Sequence, residues 1–162
     1  MRKKFTGVVA SMFLVLFSGT ALSQLSPPFR PLQPPATTTQ KYTSNQYKFS
    51  FDYPQGWKLQ EEQGAVSVNE PQNLAWVTMW KITQSVDPQN YLQNIESQLK
   101  QQWQNYTVTS RGNVKINGVD ALRVDGEATS QEKVWVFTLL VLYGNNQAKL
   151  MVGSGVVKEQ YT

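Results

Sequence analysis

Few residues in this chain have the types and spacing to do chemistry. Three carboxylates, Asp120, Asp125 and Glu127, lie close together, and one small-residue run, Val152-Gly153-Ser154-Gly155, contains a serine between glycines. Calcium prefers carboxylate oxygens, so the three acids are the candidate metal ligands. Their spacing is not that of an EF-hand loop, and on a strand Asp120 and Asp125 point to opposite faces. Exposed strand-end carboxylates are the simpler reading. The serine run fails as a nucleophile elbow, because G-x-S-x-G needs glycine two residues before the serine and Val152 stands there. It reads as a small-residue strand exit.

The chain has no His and no Cys. Ser-His and Cys-His nucleophile pairs are therefore impossible, a disulfide scaffold is excluded, and zinc and other transition metals lose their usual ligands. An N-terminal lipid-modified cysteine is excluded as well. Glu61-Glu62 reads as a solvated turn, and no glycine-rich phosphate loop is present. A hydrolase built on paired carboxylates needs two acids across a cleft, an arrangement that spacing alone does not supply. No catalytic residue and no cofactor is assigned beyond the calcium candidates, and a non-enzymatic protein is expected.

The formal charge of +4 is uninformative about nucleic acid. Of 15 basic residues, Arg2, Lys3 and Lys4 precede an apolar run, leaving 12 against 11 acidic residues in the remainder. No basic stripe interleaved with aromatics is present, and nucleic-acid binding is not expected. Those three cations, the apolar run Val8–Phe17 and the small residues of Ala21-Leu22-Ser23 read as a secretory signal peptide over 1–23. The run is about half the roughly 20 residues needed to span a bilayer. The mature protein is thus expected to be exported and soluble. Residues 24–45, with five prolines and a threonine run, read as an extended linker, either a plain tether or a docking segment. The full chain is 40% apolar, enough for a core, and the remaining 46–162 reads as one domain.

In that domain Tyr47, Phe49, Phe51 and Tyr53 alternate with polar residues, the mark of a strand with one wet face. Tyr53-Pro54-Gln55-Gly56 fits a type I turn, with Trp57 folding back onto the sheet. Residues 65–73 read as a short strand ending in a loop, and 74–83 as a stronger strand that is apolar on both faces. Asp87-Pro88 caps a surface helix of roughly 15 residues with an apolar stripe of Tyr91, Leu92, Ile95 and Leu99. Trp103 at its end either extends the stripe or, if exposed, marks a partner-binding surface. Trp57, Trp76, Trp80 and Trp135 fall on strand or turn positions and read as core. Strands follow up to Asn117-Gly118, a hairpin signal, then over 119–129 with Gly126 near the end. Two more meet at Gly144-Asn145-Asn146. The first of these, 133–143, is apolar at both parities and is expected to be central and buried on both faces. Such a sheet needs two covering layers. The helix supplies one; 156–162 starts like a second helix and then the sequence stops.

Three stretches, "YKFSFDYPQGWKL", "INGVDALRVDGEA" and "VWVFTLLVLYGNNQAKLMVGSG", resemble the PsbP family of extrinsic photosystem II proteins and their bacterial relatives. The resemblance covers about residues 42–155. It implies an α+β fold, an α/β/α sandwich around a central antiparallel sheet, here with its C-terminal helix apparently truncated. It further implies an accessory, assembly or stabilising factor of a membrane protein complex, in the thylakoid lumen if the host is photosynthetic and in the periplasm otherwise. The partner is then a membrane complex or envelope protein, contacted peripherally by a monomer. The histidines of plant members have no counterpart here, so their metal role does not carry over. A second reading is a periplasmic envelope-maintenance domain or one that binds a small apolar ligand.

Overall fold

The structure is a computed structural model and describes residues 38–45 and 48–160. The expected signal peptide, most of the linker, Tyr47 and the last two residues lie outside them. Two antiparallel sheets are present. The smaller pairs β1 (Thr39–Ser44) with β2 (Phe49–Pro54). The larger holds β3 (Lys58–Glu62), β4 (Ala65–Asn69), β5 (Ala75–Lys81), β6 (Gln104–Ile116), β7 (Val119–Ser130), β8 (Lys133–Gly144) and β9 (Gln147–Val157) in the order β3-β4-β5-β9-β8-β7-β6. After β5 the chain leaves through α1 (Pro88–Gln102), crosses to the far edge at β6, and returns by three hairpins until β9 pairs with β5.

The β1–β2 hairpin corrects the linker boundary, since Thr39–Ser44 lies within 24–45. Tyr42 opposes Phe51 and Ser44 opposes Phe49, so Tyr42, Phe49, Phe51 and Tyr53 share one face. Their ring centroids are 5.3–6.2 Å apart. The turn after β2 also shifts by one residue. Trp57 N–H donates to Pro54 O, and Gly56 at φ +92° takes the third position, so Pro54–Trp57 is a type II turn that requires glycine there.

Each of the three hairpins has two central residues with positive φ, the type I′ geometry that matches strand twist. Asn117-Gly118 and Asn145-Asn146 are residues suited to it. The third turn is Gln131-Glu132, at 49° and 63°, a pair that carries no local turn signal. β7 runs from Val119 to Ser130, one residue beyond the expected 119–129, with Gly126 inside it. A Cβ on Gly126 would stand 2.5 Å from the Phe137 ring and 2.4 Å from Thr107 O. Gly153 and Gly155 are likewise interior to β9, and not a strand exit. A Cβ on Gly155 would meet the Trp76 indole at 2.7 Å. These glycines are spaces into which aromatic rings fit.

The helix forms as expected. Asp87 Oδ1 accepts from Asn90 N–H at 2.9 Å and Pro88 opens the first turn. Leu92, Ile95 and Leu99 are buried, and the Trp80 indole N–H donates to the Tyr91 hydroxyl at 2.8 Å. Register places Trp76, Trp80, Phe137, Leu139 and Val141 on the sheet face under α1. The other face of β8 and β9 carries Val134, Val136, Leu140, Leu142, Leu150, Val152 and Val156, all only half-buried. The expectation that β8 is buried on both faces therefore holds for one face. Among the described residues α1 is the one α-helix, and after β9 there follows a three-residue 3-10 turn, Lys158–Gln160, in place of the expected start of a helix. The described residues thus form a seven-stranded antiparallel sheet with one helix on it, two layers where three were expected.

Candidate functional site

The calcium candidates do not converge. Asp120 opposes Tyr143 and Asp125 opposes Thr138, which sets the two acids on opposite faces of β7 as read from the sequence. Each acid has its own cation. Lys115 Nζ pairs with Asp120, whose carboxylate raises the lysine above its ordinary pKa. Arg123 Nε pairs with Asp125 at 2.9 Å, and Thr138 Oγ1 donates to the same carboxylate at 2.6 Å. Lys158 Nζ reaches Glu127 at 2.7 Å. No group of three or more metal-ligating acids occurs among the described residues.

The second candidate is also displaced. Trp103 caps the C-terminus of α1, its N–H donating to Leu99 O at 2.8 Å, and turns inward. It is 5% exposed and packs edge-on against Trp76 and Phe137, with centroids 6.4 and 5.8 Å away. Trp103 thus extends the apolar stripe and is not a surface anchor. Burying the indole between two aromatic neighbours removes far more apolar surface from water than leaving it at a helix end. Trp76, Trp80 and Trp135 are buried as read, and Trp57 is half-buried.

The most constrained polar cluster was not singled out from sequence. Glu96, on the inner side of α1, is 4% exposed. Arg111 of β6 forks onto it, with Nη1–Oε2 at 2.8 Å and Nη2–Oε1 at 2.7 Å, and the Tyr106 hydroxyl donates to Oε1 at 3.3 Å. Burial first, then the Glu96 charge, pushes the Tyr106 hydroxyl well above the ordinary tyrosine value. The hydrogen bond to Glu96 raises Arg111 further, so the guanidinium stays charged. Tyr106 stacks on Phe137 at 5.0 Å, and Lys100 Nζ lies 5.6 Å from the Tyr106 ring centroid. A bidentate arginine on a buried carboxylate fixes the helix against the edge strand. One signal was available: Glu96 follows Leu92 by four and Ile95 by one, so it falls on the buried side of the stripe.

On the opposite sheet face the Glu127–Lys158 pair borders an open cleft of about 380 Å³ lined also by Asn105, Thr107, Thr109 and Thr129. Asn105 sits at φ 52° and donates from Nδ2 to Thr129 Oγ1.

No family model and no curated protein matches the sequence. Solved structures do. The solution structure of cyanobacterial PsbP (CyanoP) from Synechocystis sp. PCC 6803 superposes with a TM-score of 0.58 at 9% identity, over 84% of this chain and 90% of that one. The fold is PsbP-like. The crystal structures of PA94, a Pseudomonas aeruginosa protein of unknown function, and of LpqN, involved in cell envelope biogenesis of Mycobacterium tuberculosis, give TM-scores of 0.46 and 0.41. Their identities are 12% and 10%, over 75% and 80% of this chain and 84% and 78% of theirs.

Proposed function

We propose that the protein is a non-enzymatic, exported accessory or assembly factor of a membrane protein complex, of the photosystem II type if the host is photosynthetic. The PsbP-like fold carries the reading, since the likeness to CyanoP spans 84% of this chain. The candidate acids support it. Asp120, Asp125, Glu127 and Glu96 each pair with a cation of the same chain, so they do not gather into one acidic cluster. Among the described residues no helix is long and apolar enough to cross a membrane.

Affinity purification of the tagged full chain from solubilised membranes of its own host tests the reading. Stoichiometric recovery of the subunits of one membrane complex is expected. Recovery of the chain alone, or only of envelope enzymes acting on cell-wall material, would overturn the accessory role.

A further inference from the structure

The large sheet ends in two unlike edges. β3 is five residues long and carries Glu61 and Glu62, both exposed. β6 is 13 residues long, and among the described residues it pairs only with β7. Long open edges invite further strand pairing, and proteins commonly blunt them with bulges or charge. The first half of β6 is blunted in this way: its register with β7 shifts between Gln104 and Thr107 and again between Val108 and Ser110. From Ser110 to Ile116 the register is unbroken.

The turn decides which backbone groups of that regular segment are free. Asn117-Gly118 is a two-residue I′ turn, so the flanking pair Ile116–Val119 exchanges both hydrogen bonds. Alternation then aims the N–H and C=O of Ile116, Val114 and Gly112 at β7, and those of Lys115, Asn113 and Arg111 outward. Arg111, Gly112, Asn113 and Lys115 are all exposed.

The side chains beside this edge define what can pair with it. Arg111 and Lys115 flank Asn113 on the α1 side. Their side chains remain 50% and 68% exposed despite their pairs with Glu96 and Asp120. The opposite side is a strip of Gly112, Val114 and Ile116, the last 38% exposed. β6 contains no acidic residue. A second copy paired about Asn113 would set Arg111 opposite Lys115, a like-charge contact that disfavours self-association.

We propose that residues 110–116 of β6 receive an extended segment of a partner protein by antiparallel strand addition. The segment carries acidic side chains four residues apart on one face and β-branched apolar residues on the other. Backbone bonds to Arg111, Asn113 and Lys115 supply affinity, and the two cations set register and choose the partner. This inference stands apart from the accessory reading and holds whatever complex the partner belongs to.

The test uses the isotopically labelled full chain and the blocked peptide Val-Glu-Val-Thr-Val-Glu-Thr, which sets its acids opposite Lys115 and Arg111. Saturating peptide should slow hydrogen exchange of the Arg111, Asn113 and Lys115 amides at least tenfold. The Gly112 and Val114 amides, already bonded to β7, should change little. A peptide with lysine in place of both glutamates should bind at least tenfold more weakly. Asn113→Pro removes one outward N–H and leaves the β7 ladder intact, so it should abolish binding without altering the circular dichroism spectrum. Lys115→Glu, should the proline variant misfold, should weaken binding of the acidic peptide and strengthen that of the lysine peptide. Unchanged exchange at millimolar peptide, equal binding of both peptides, or shifts confined to residues away from β6 would overturn the proposal.

Discussion

Leu139 and Leu140 are neighbours on one strand with the same side chain and opposite circumstances. Leu139 points under α1 and is 1% exposed; Leu140 points to the other face, between Arg123 and Val152, and is half-buried. The same division runs along β8 and β9. One face is filled by Trp76, Trp103, Trp135 and Phe137, with Gly126 making room for Phe137 and Gly153 and Gly155 for Trp76. The other is as apolar along these two strands and has no α-helix over it among the described residues. Composition alone makes the two faces look alike; the cover they receive is what separates them.

The largest test of that contrast uses glycines. Gly126→Val on the covered face should destabilise by about 3 kcal/mol or more, because the added carbons enter the space of Phe137 and Thr107 O. Gly112→Val, with open space around its Cβ on the other face, should stay within about 0.5 kcal/mol of the parent in urea denaturation. Losses of equal size would remove the distinction between the faces.

The leucine pair sharpens it. Leu139→Ala should cost about 2–5 kcal/mol, as cavity-forming truncations do, and Leu140→Ala about 1 kcal/mol or less, because Leu140 buries less apolar area. Equal losses here would mean that the Leu140 face is covered in solution.

The arginines divide in the same way. Arg111→Met leaves a buried Glu96 carboxylate without its cation and should cost about 3 kcal/mol. Arg123→Met removes an exposed partner of Asp125 and should cost less than about 1 kcal/mol. Chemical denaturation of both variants decides.

The pH response should also belong to the covered face. Tyr106 and Tyr91 both have raised pKa values, burial being the first cause in each. The unfolded tyrosines release their protons near 10.0, while the folded ones hold them, so the folded state binds more protons above that pH. Their contribution is complete below pH 10 and is lost as pH climbs through the raised values. Tm should fall above pH 10, and Tyr106→Phe should flatten that fall. The smallest effect is expected from calcium, whose addition to millimolar levels should leave Tm unchanged, because Asp120, Asp125 and Glu127 are separately paired.

Much of this was legible because it depends on neighbours in the chain. Asp87-Pro88, the stripe from Leu92 to Leu99, Asn117-Gly118 and Asn145-Asn146 each carry their own local cause. Other features do not. Gln131-Glu132 turns because β7 and β8 are held in register on either side, and not because glutamine and glutamate favour positive φ. Thr39–Ser44 looked like linker because its strand has no alternation strong enough to announce it; β2 completes it. Trp103 was ambiguous because a residue at a helix end can face either way until the elements it would touch are placed.

Residue types and their spacing were enough for the helix and its N-cap, the turns at Asn117-Gly118 and Asn145-Asn146, the alternation of β2, and the exclusion of thiol and imidazole chemistry. These follow from residue type and from periods of 3.6 and 2.0. Long-range packing is what brings Glu96 to Arg111 across 15 positions, seats the rings of Phe137 and Trp76 on Gly126 and Gly155, and makes β6 the edge of the sheet with Arg111 and Lys115 at its rim. Those are contacts between residues far apart in the chain, and they come into being when the sheet brings distant strands to within one strand spacing of each other.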